Sequence, residues 1–398
     1  MKKTLQKTMC ITLVILAVIL IMTGCQKTTV KGSKETTSAT NVVPEDSAAT
    51  VLTVAIKEIN KHGNVILDTT FDEMKSHGMD VGDVITVTAA EAEFDLPVGT
   101  SYTDVDSGEM ICRFDTEDNE VAIAVNMGSF ATEAGIGEKQ TIEENPGFKW
   151  DMRITELSLK LKEKAGYLDV YNARNLSRTD VRSDYAALSD EAFANFRAVA
   201  VSGMKENTLY RSSTPIEPAI GRNEYAMAAM EKAGVKTVIN LDDSVDVMTG
   251  YETYPGSYYS RCKIINPEMS YDFGTEEFAE KVKESVLFII ENDGPYLIHC
   301  KEGKDRTGIL CAILESFVGV SAKDVMTDYM ITYDNFYNVK PGDTAYDIIL
   351  RDNLVKTLCT LYQADDIETA DLREKATEYL LSAGLTDEQL RLLSAKLT

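Results

Sequence analysis

The chain has 398 residues and a formal net charge of −24, from 40 Lys and Arg against 64 Asp and Glu. This length predicts two domains, and a surface so acidic, with no basic stripe, argues against nucleic acid as a partner. The seven cysteines and three histidines are too scattered for a disulfide framework or a metal cluster, so no metal or other cofactor is expected.

Residues 1–25 have the pattern of a secretion signal. Three lysines precede a largely apolar run over residues 11–22, and Thr23 and Gly24 lead to Cys25. This ending resembles a bacterial lipobox, which implies cleavage before Cys25 and a lipid on its sulfur. An uncleaved membrane anchor is the alternative. Both interpretations predict an extracytoplasmic protein held at the cell membrane.

Residues 26–50 are rich in Thr and Ser and contain few large apolar residues. Such a segment cannot bury a core and is predicted to be a flexible tether.

Residues 51–172 are predicted to form a small all-β, barrel-like domain, because short alternating runs are separated by Gly, Asp and Asn turns. The predicted strands cover residues 51–56, 64–67, 83–88, 110–114, 120–125 and 157–161.

Three segments of this region, residues 59–65, 101–109 and 123–129, resemble the C-terminal β-barrel of the S-adenosylmethionine hydroxide adenosyltransferase family. In that family the ligand lies between this barrel and a larger N-terminal domain of a neighbouring subunit. Only the signal and tether precede residue 51 here, so the resemblance implies a binding or spacer module with an adenosyl-type compound as its candidate ligand. An unrelated small β-domain is the alternative.

Residues 173–189 are polar and rich in arginine, and are predicted to link the two domains. For Arg174, Arg178 and Arg182, solvated charge is favoured over a role in substrate binding.

Residues 190–398 are predicted to form an α/β domain whose central, mostly parallel sheet is flanked by helices. Strand-like segments occur at 195–197, 209–213, 236–241, 258–265 and 296–299. Helical patterns occur at 223–233, 275–290, 308–317, 350–362 and 372–397.

Residues 296–308 are predicted to form a buried strand, a tight loop and the start of an apolar helix. A loop that enters a helix N-terminus directs backbone N–H groups and the positive end of the helix dipole at one point, which creates an anion cradle. Cys300 is the candidate nucleophile in this cradle, since a thiol there ionises more readily. Arg306 can hold two phosphate oxygens, and the Thr307 hydroxyl can support the departing sulfur.

The spacing Cys-x5-Arg-Thr after a hydrophobic strand resembles the signature loop of the cysteine-dependent phosphatases, the protein tyrosine and dual-specificity superfamily. The order of elements over about 200 residues is similar to the bacterial secreted or surface tyrosine phosphatases, a full domain length. The resemblance implies hydrolysis of phosphomonoesters, with phosphotyrosine in a protein as the first choice of substrate. The alternative is a buried cysteine beside a solvated charged loop.

Phosphate ester hydrolysis also needs a proton donor for the leaving group. In the superfamily this donor comes from the loop after the strand that precedes the signature strand, which corresponds to residues 266–274. Asp272 is therefore the first choice. Asp305, Asp242 and Asp243 remain alternatives.

Six other residues of the signature loop are assigned to substrate binding: His299, Lys301, Glu302, Gly303, Lys304 and Asp305. For His299, a role in orienting the loop is favoured over proton transfer. The two lysines make the loop similar to that of phosphoinositide 3-phosphatases, so a phosphoinositide or inositol polyphosphate is the alternative substrate. A non-catalytic surface module that binds phosphorylated ligands is the third hypothesis.

Overall fold

The computed structural model describes residues 51–143 and 145–398. The predicted secretion signal, the predicted lipidation of Cys25 and the predicted tether all lie outside these residues. Within them, no helix is long and apolar enough to cross a membrane.

The first part of the fold is a closed barrel with the strand order β1-β2-β6-β5-β4-β3-β9, in which β9 pairs with β1. Its strands and the separate β7–β8 hairpin are β1 (Leu52–Ile59), β2 (Val65–Leu67), β3 (Val84–Ala89), β4 (Ala92–Gly99), β5 (Met110–Asp115), β6 (Glu120–Val125), β7 (Gly137–Thr141), β8 (Phe148–Met152) and β9 (Glu156–Glu163). The six predicted strands are present. Strands β4, β7 and β8 were not predicted from the sequence.

Alternating burial explains why these segments form strands. In β3, Ile85, Val87 and Ala89 are buried while the residues between them are partly exposed, as expected for a sheet with one buried face. Helices α1 (Phe71–Ser76) and α2 (Phe130–Glu133) close the barrel core. The predicted all-β barrel is therefore confirmed.

The second part contains a five-stranded sheet with the order β10-β11-β14-β12-β13. Its strands are β10 (Arg197–Ala198), β11 (Leu209–Ser212), β12 (Thr237–Asn240), β13 (Lys263–Ile265) and β14 (Tyr296–His299). All neighbouring pairs are parallel except β10 with β11. The mostly parallel sheet is confirmed, and β14 lies at its centre, so the segment after His299 leaves the sheet between two neighbours.

Helices cover both faces of this sheet. They are α3 (Leu168–Arg174), α4 (Asp190–Phe193), α5 (Asn223–Lys232), α6 (Val245–Gly250), α7 (Glu276–Glu291), α8 (Asp305–Val318), α9 (Ala322–Tyr337), α10 (Thr344–Ile349), α11 (Lys356–Tyr362), α12 (Leu372–Ser382) and α13 (Asp387–Leu397), with a π-helical segment at Leu350–Val355. Nearly every residue of α8 is buried, in the largest hydrophobic cluster. The signature loop is thus held between a central strand and a central helix.

Helix α9 was not predicted, although its ends carry recognisable signals. The Ser321 hydroxyl accepts a hydrogen bond from the Asp324 N–H at the N-terminus, and Asn338 adopts the left-handed conformation at the C-terminus.

Asp106 is an acidic residue of the barrel that connects it to the α/β part. Asp106 accepts a hydrogen bond from Arg174 on α3 at 2.7 Å and also pairs with Lys356 on α11. Burial tends to raise the pKa of Asp106, but the bonds from Lys356 and Arg174 outweigh it and lower the pKa. The carboxylate therefore stays charged and joins the two parts.

Candidate active site

Cys300 directly follows β14 and is only 3% exposed, at the bottom of the loop that leads into α8. Gly303 sets the shape of this loop, with φ at +66°. A Cβ atom at this position would lie 2.1 Å from the backbone oxygen of Ser212 at the end of β11. Only glycine meets both conditions.

Side chains from other parts of the chain donate hydrogen bonds to the carbonyl groups of the loop. Arg211 Nη2 donates to the Gly303 carbonyl at 3.0 Å, and Asn195 Nδ2 donates to the Glu302 carbonyl at 3.0 Å. In a trans peptide the following N–H points the opposite way. The N–H groups of residues 301–304 donate to no acceptor in the part of the chain that the structure describes. The loop therefore has the free donors that an anion cradle requires.

A buried ion pair fixes Arg211 in this position. Its Nη1 lies 2.6 Å from Asp328 Oδ2 on α9, and Arg197 pairs with the same carboxylate at 3.0 Å. Burial alone would raise the pKa of Asp328, but Arg197 and Arg211 outweigh it and lower the pKa to about 2. The carboxylate is therefore ionised at neutral pH and keeps Arg211 against the loop.

Arg306, in the first turn of α8, already has partners for both terminal nitrogens, and its side chain is 7% exposed. Nη2 lies 2.7 Å from Asp242 Oδ1 and donates to the Tyr271 hydroxyl at 2.8 Å. Nη1 donates to the carbonyls of Leu241 and Met269, each at 3.4 Å. A phosphate would therefore exchange with Asp242 and Tyr271 to reach Nη2.

The four candidate proton donors have different environments. Asp242 alone among them pairs with Arg306. Asp272 is exposed, and its carboxylate makes no hydrogen bond or ion pair with any described residue. Burial raises the pKa of Asp243 and of Asp305. The identity of the donor stays a prediction.

His299 lies behind the loop rather than in the cradle. It is fully buried, with Nε2 2.7 Å from the Tyr259 hydroxyl, and burial lowers its pKa to about 4. The imidazole is therefore neutral at physiological pH. Thr307 is also fully buried, and its hydroxyl has no partner among the described residues.

Acidic residues neutralise both loop lysines. Lys301 Nζ lies 2.8 Å from Glu217 Oε1, and its side chain is 45% exposed. Lys304 Nζ lies 3.3 Å from Glu302 and 3.7 Å from Asp305. Burial opposes the charge of Lys304, but Asp305 and Glu302 outweigh it and raise its pKa.

The linker arginines are not solvated charges, and that prediction was wrong. Arg178 is 16% exposed, with Nη1 2.6 Å from Glu302 Oε1 and 2.9 Å from the Tyr337 hydroxyl. Arg182 donates to two backbone carbonyls, and Arg174 pairs with Asp106. Arg178 also pairs with the nearby Asp180 at 3.0 Å. The polar context in the sequence did not reveal Glu302, Tyr337 and Asp106 as partners, since each lies far along the chain.

A cavity of about 550 Å³ adjoins the signature loop. Lys304 and Asp305 line it, and so do Tyr329, Tyr333 and Tyr337 of α9. Sequence analysis missed the tyrosines because α9 itself was not predicted. Among the described residues, no group of three or more His, Cys, Asp or Glu side chains could hold a metal ion.

Comparison with known families gives two matches. Residues 191–398 match the model of the tyrosine phosphatase family, and residues 54–143 match that of the SAM hydroxide adenosyltransferase C-terminal domain. These regions agree with the two resemblances inferred from the sequence. No curated protein matches the chain.

Solved structures with similar regions share little sequence with the chain. TpbA of P. aeruginosa in complex with pTyr is 18% identical over 48% of this chain and 96% of that chain, with a TM-score of 0.28. The core catalytic domain of a PP-IP phosphatase of S. cerevisiae is 16% identical over 39% and 88%, with a TM-score of 0.25. An uncharacterized conserved protein of Thermotoga maritima is 23% identical over 27% of this chain, with a TM-score of 0.22, and the match spans 35% of that protein.

Proposed function

The chain belongs to the tyrosine phosphatase family, and from this premise we propose that it hydrolyses phosphotyrosine through a phosphate ester of Cys300. The observation that carries the proposal is that the backbone N–H groups of residues 301–304, between Cys300 and Arg306, have no acceptor among the described residues. A phosphate group needs neutralisation of its oxygens before an anionic nucleophile can approach. The N–H groups of residues 301–304 and the guanidinium of Arg306 neutralise these oxygens.

The reaction has two steps. The Cys300 thiolate attacks phosphorus, the bond to the leaving oxygen breaks, and that oxygen takes a proton from a carboxylic acid. Water then attacks the cysteinyl-phosphate, the S–P bond breaks, and inorganic phosphate leaves. The buried Thr307 hydroxyl, which has no partner in the described residues, is available to donate to the departing sulfur.

We assign the proton donor to Asp272. The preceding residue, Tyr271, accepts a hydrogen bond from Arg306, and the Met269 carbonyl accepts another. Residues 269–272 therefore lie over Arg306, where the leaving group must be. The carboxylate of Asp272 is exposed and free to turn toward it.

Phosphotyrosine is favoured over inositol phosphates by the lysines of the loop. Lys304 is paired with Glu302 and lies 5.6 Å from the ring centres of both Tyr333 and Tyr337. A lysine held by these contacts adds to the positive electrostatic potential of the site, but it is poorly placed to contact a second phosphate directly. The exposure of Lys301 is the observation that keeps phosphoinositides and inositol polyphosphates as the second candidate.

The N-terminal part supports a proposal about location. We propose that lipid on Cys25 anchors the phosphatase outside the cytoplasm, as the lipobox-like ending indicates. Cys25→Ala is expected to abolish labelling by a radioactive fatty acid in cells. Unchanged labelling would contradict the proposed anchor.

For the barrel we propose a binding role without catalysis, with an adenosyl compound as the candidate ligand.

The test is phosphate release by the full-length protein from a phosphotyrosine peptide, a phosphoserine peptide, a phosphoinositide and inositol hexakisphosphate. The phosphotyrosine peptide is expected to be the best substrate, and Cys300→Ser is expected to abolish turnover. Acid quenching during turnover is expected to trap a phosphate on Cys300, detectable by mass spectrometry. Turnover by Cys300→Ser would contradict the mechanism, and preference for an inositol compound would select the second candidate.

A further inference from the structure

We propose that the barrel and helix α3 form one wall of the substrate site, which selects a phosphotyrosine that has an acidic group beyond its ring. The proposal rests on the phosphatase activity proposed above and adds a specificity element to it. Its basis is the 550 Å³ cavity beside the signature loop.

The cavity brings together residues from three parts of the chain. Lys304 and Asp305 belong to the signature loop, and Tyr271 belongs to the loop that covers Arg306. Thr103 of the barrel and Arg174 of α3 line the same cavity. A leaving group attached to a phosphate at Arg306 would extend past Tyr271 into this space, and the barrel would limit its size.

Three tyrosines of α9 line the cavity, and Tyr329 and Tyr333 are almost fully buried, at 2% and 3% exposed. Tyr329, Tyr333 and Tyr337 follow one another at intervals of four residues and therefore share a helix face. The ring centres are 5.8 Å apart for the first pair and 6.0 Å apart for the second. The tyrosines therefore form a packed wall, with Lys304 Nζ 5.6 Å from the ring centres of Tyr333 and Tyr337.

Arg174 on the cavity wall has a second cation close to it, Lys356, which lines a neighbouring cavity together with Asp106. Arg174 and Lys356 share the single carboxylate of Asp106. Asp352, another acidic residue on the wall, is paired with Arg351 at 2.7 Å. Asp106 therefore balances only part of the charge of Arg174, because it pairs with Lys356 as well.

Arg174 is available to a ligand. Its side chain is 22% exposed, and of its three nitrogens only Nη2 has a hydrogen-bond partner among the described residues. Burial opposes the charge of Arg174, but the hydrogen bond to Asp106 and neighbouring negative groups outweigh it and raise the pKa. The guanidinium therefore stays charged and can attract a carboxylate that flanks the phosphotyrosine.

The barrel wall is tested with Thr103→Trp, which narrows the cavity at an exposed position. Full-length protein is assayed with phenyl phosphate and with phosphotyrosine peptides that have acidic or neutral neighbours. The substitution is expected to lower kcat/KM for the peptides by about tenfold, the scale of a lost pocket contact, while phenyl phosphate turnover stays unchanged. The matched control Thr53→Trp lies on an exposed face of β1 and is expected to leave all substrates unaffected.

The role of the Arg174 charge in selecting acidic peptides is tested with Arg174→Gln. The wild type is expected to prefer the acidic over the neutral peptide, and the variant is expected to show a preference about fivefold smaller, as for the loss of a partly exposed charge pair. Arg174→Lys is expected to retain part of the preference for the acidic peptide. A thermal melt of each variant separates a change in preference from a loss of folded protein.

Absence of turnover by the wild type on every aryl phosphate would overturn the proposed function itself. An active wild type whose peptide turnover resists Thr103→Trp would overturn only the role of the barrel. An equal loss of turnover on phenyl phosphate in Thr103→Trp would also overturn the role of the barrel, because the substitution would then affect catalysis and not the choice of substrate.

Discussion

Asp242 Oδ1 lies 2.7 Å from Arg306 Nη2, so a carboxylate occupies a donor that a phosphate oxygen would need. Replacing Asp242 by Asn removes a competing negative charge next to the phosphate site. We expect inorganic phosphate to inhibit Asp242→Asn several-fold more strongly than the wild type, in line with about 1 kcal/mol for a partly exposed charge pair. Inhibition constants measured at pH 7 check this, and weaker inhibition would contradict it.

Asp272→Asn tests the proton donor. A proton donor matters most when the leaving oxygen is a poor leaving group. Turnover of phenyl phosphate is therefore expected to fall by about 10²–10⁴-fold, and turnover of a nitrophenyl phosphate to fall much less. Rates on the two substrates are compared for Asn variants at Asp272, Asp242 and Asp305. If the selective loss appears at another of these positions, the donor is that residue.

Gly303→Ala tests the shape of the loop. The new Cβ would lie 2.1 Å from the Ser212 carbonyl, so the loop must shift and its N–H groups must leave their positions. We expect kcat/KM to fall by at least about 100-fold, on the scale of losing an oxyanion donor. The matched control is Gly342→Ala, where φ is +97° but no atom lies within 4 Å. It is expected to cost about 1 kcal/mol of stability without affecting turnover; equal activity of the two variants would contradict this reasoning.

Arg178→Met tests whether the linker supports the signature loop. The substitution keeps much of the side-chain volume but removes the bonds to Glu302 and the Tyr337 hydroxyl. We expect a loss of about 1–3 kcal/mol in the free energy of unfolding and a higher KM for phosphotyrosine peptides. Arg391→Met, at an exposed ion pair on α13, serves as the control and is expected to change neither quantity. A normal KM in a destabilised Arg178 variant would restrict the residue to a structural role.

The buried pair of Asp328 and Arg211 predicts acid sensitivity. The pKa of Asp328 is about 2 in the folded protein and about 4 in an unfolded chain, so the stabilisation is complete above pH 4 and is lost as the pH falls to 2, roughly 2–3 kcal/mol in total. Asp328→Asn is expected to remove this dependence and to cost about 3–5 kcal/mol at pH 7, because it leaves Arg211 buried without its partner. Urea unfolding at several pH values measures both effects.

The control for this prediction is Asp95→Asn, which breaks an exposed pair with Lys162. We expect it to change stability by less than about 1 kcal/mol. An Asp328 variant that behaves like Asp95→Asn would show that the buried pair adds little.

His299 predicts a second change at higher pH. Its pKa is about 4 when buried and about 6.5 when unfolded, so the unfolded chain binds the proton first as the pH falls. Stability is therefore expected to decline as the pH falls from about 6.5 to about 4. His299→Gln is expected to flatten this part of the same urea series, and an unchanged slope would contradict the assignment.

The sequence by itself determined the features that depend on neighbours along the chain. Alternation within residues 83–88 was sufficient to predict β3, and nine consecutive residues from His299 to Thr307 contain the nucleophile, the arginine and the turn of the loop. Local backbone preferences and side-chain periodicity act over a few residues. For the same reason, the two family resemblances could be recognised from short motifs.

Only the tertiary structure decided which distant groups surround that loop. Arg211 is 92 positions from Gly303, and Arg178 is 159 positions from Tyr337, yet each pair is hydrogen-bonded. The pairing of Arg306 with Asp242 depends on β12 lying beside β14. Burial makes these polar partners necessary, since a buried charge without one is costly, but burial follows from packing of the whole chain. A local pattern therefore identifies the reacting groups, whereas packing determines what holds them and what reaches them.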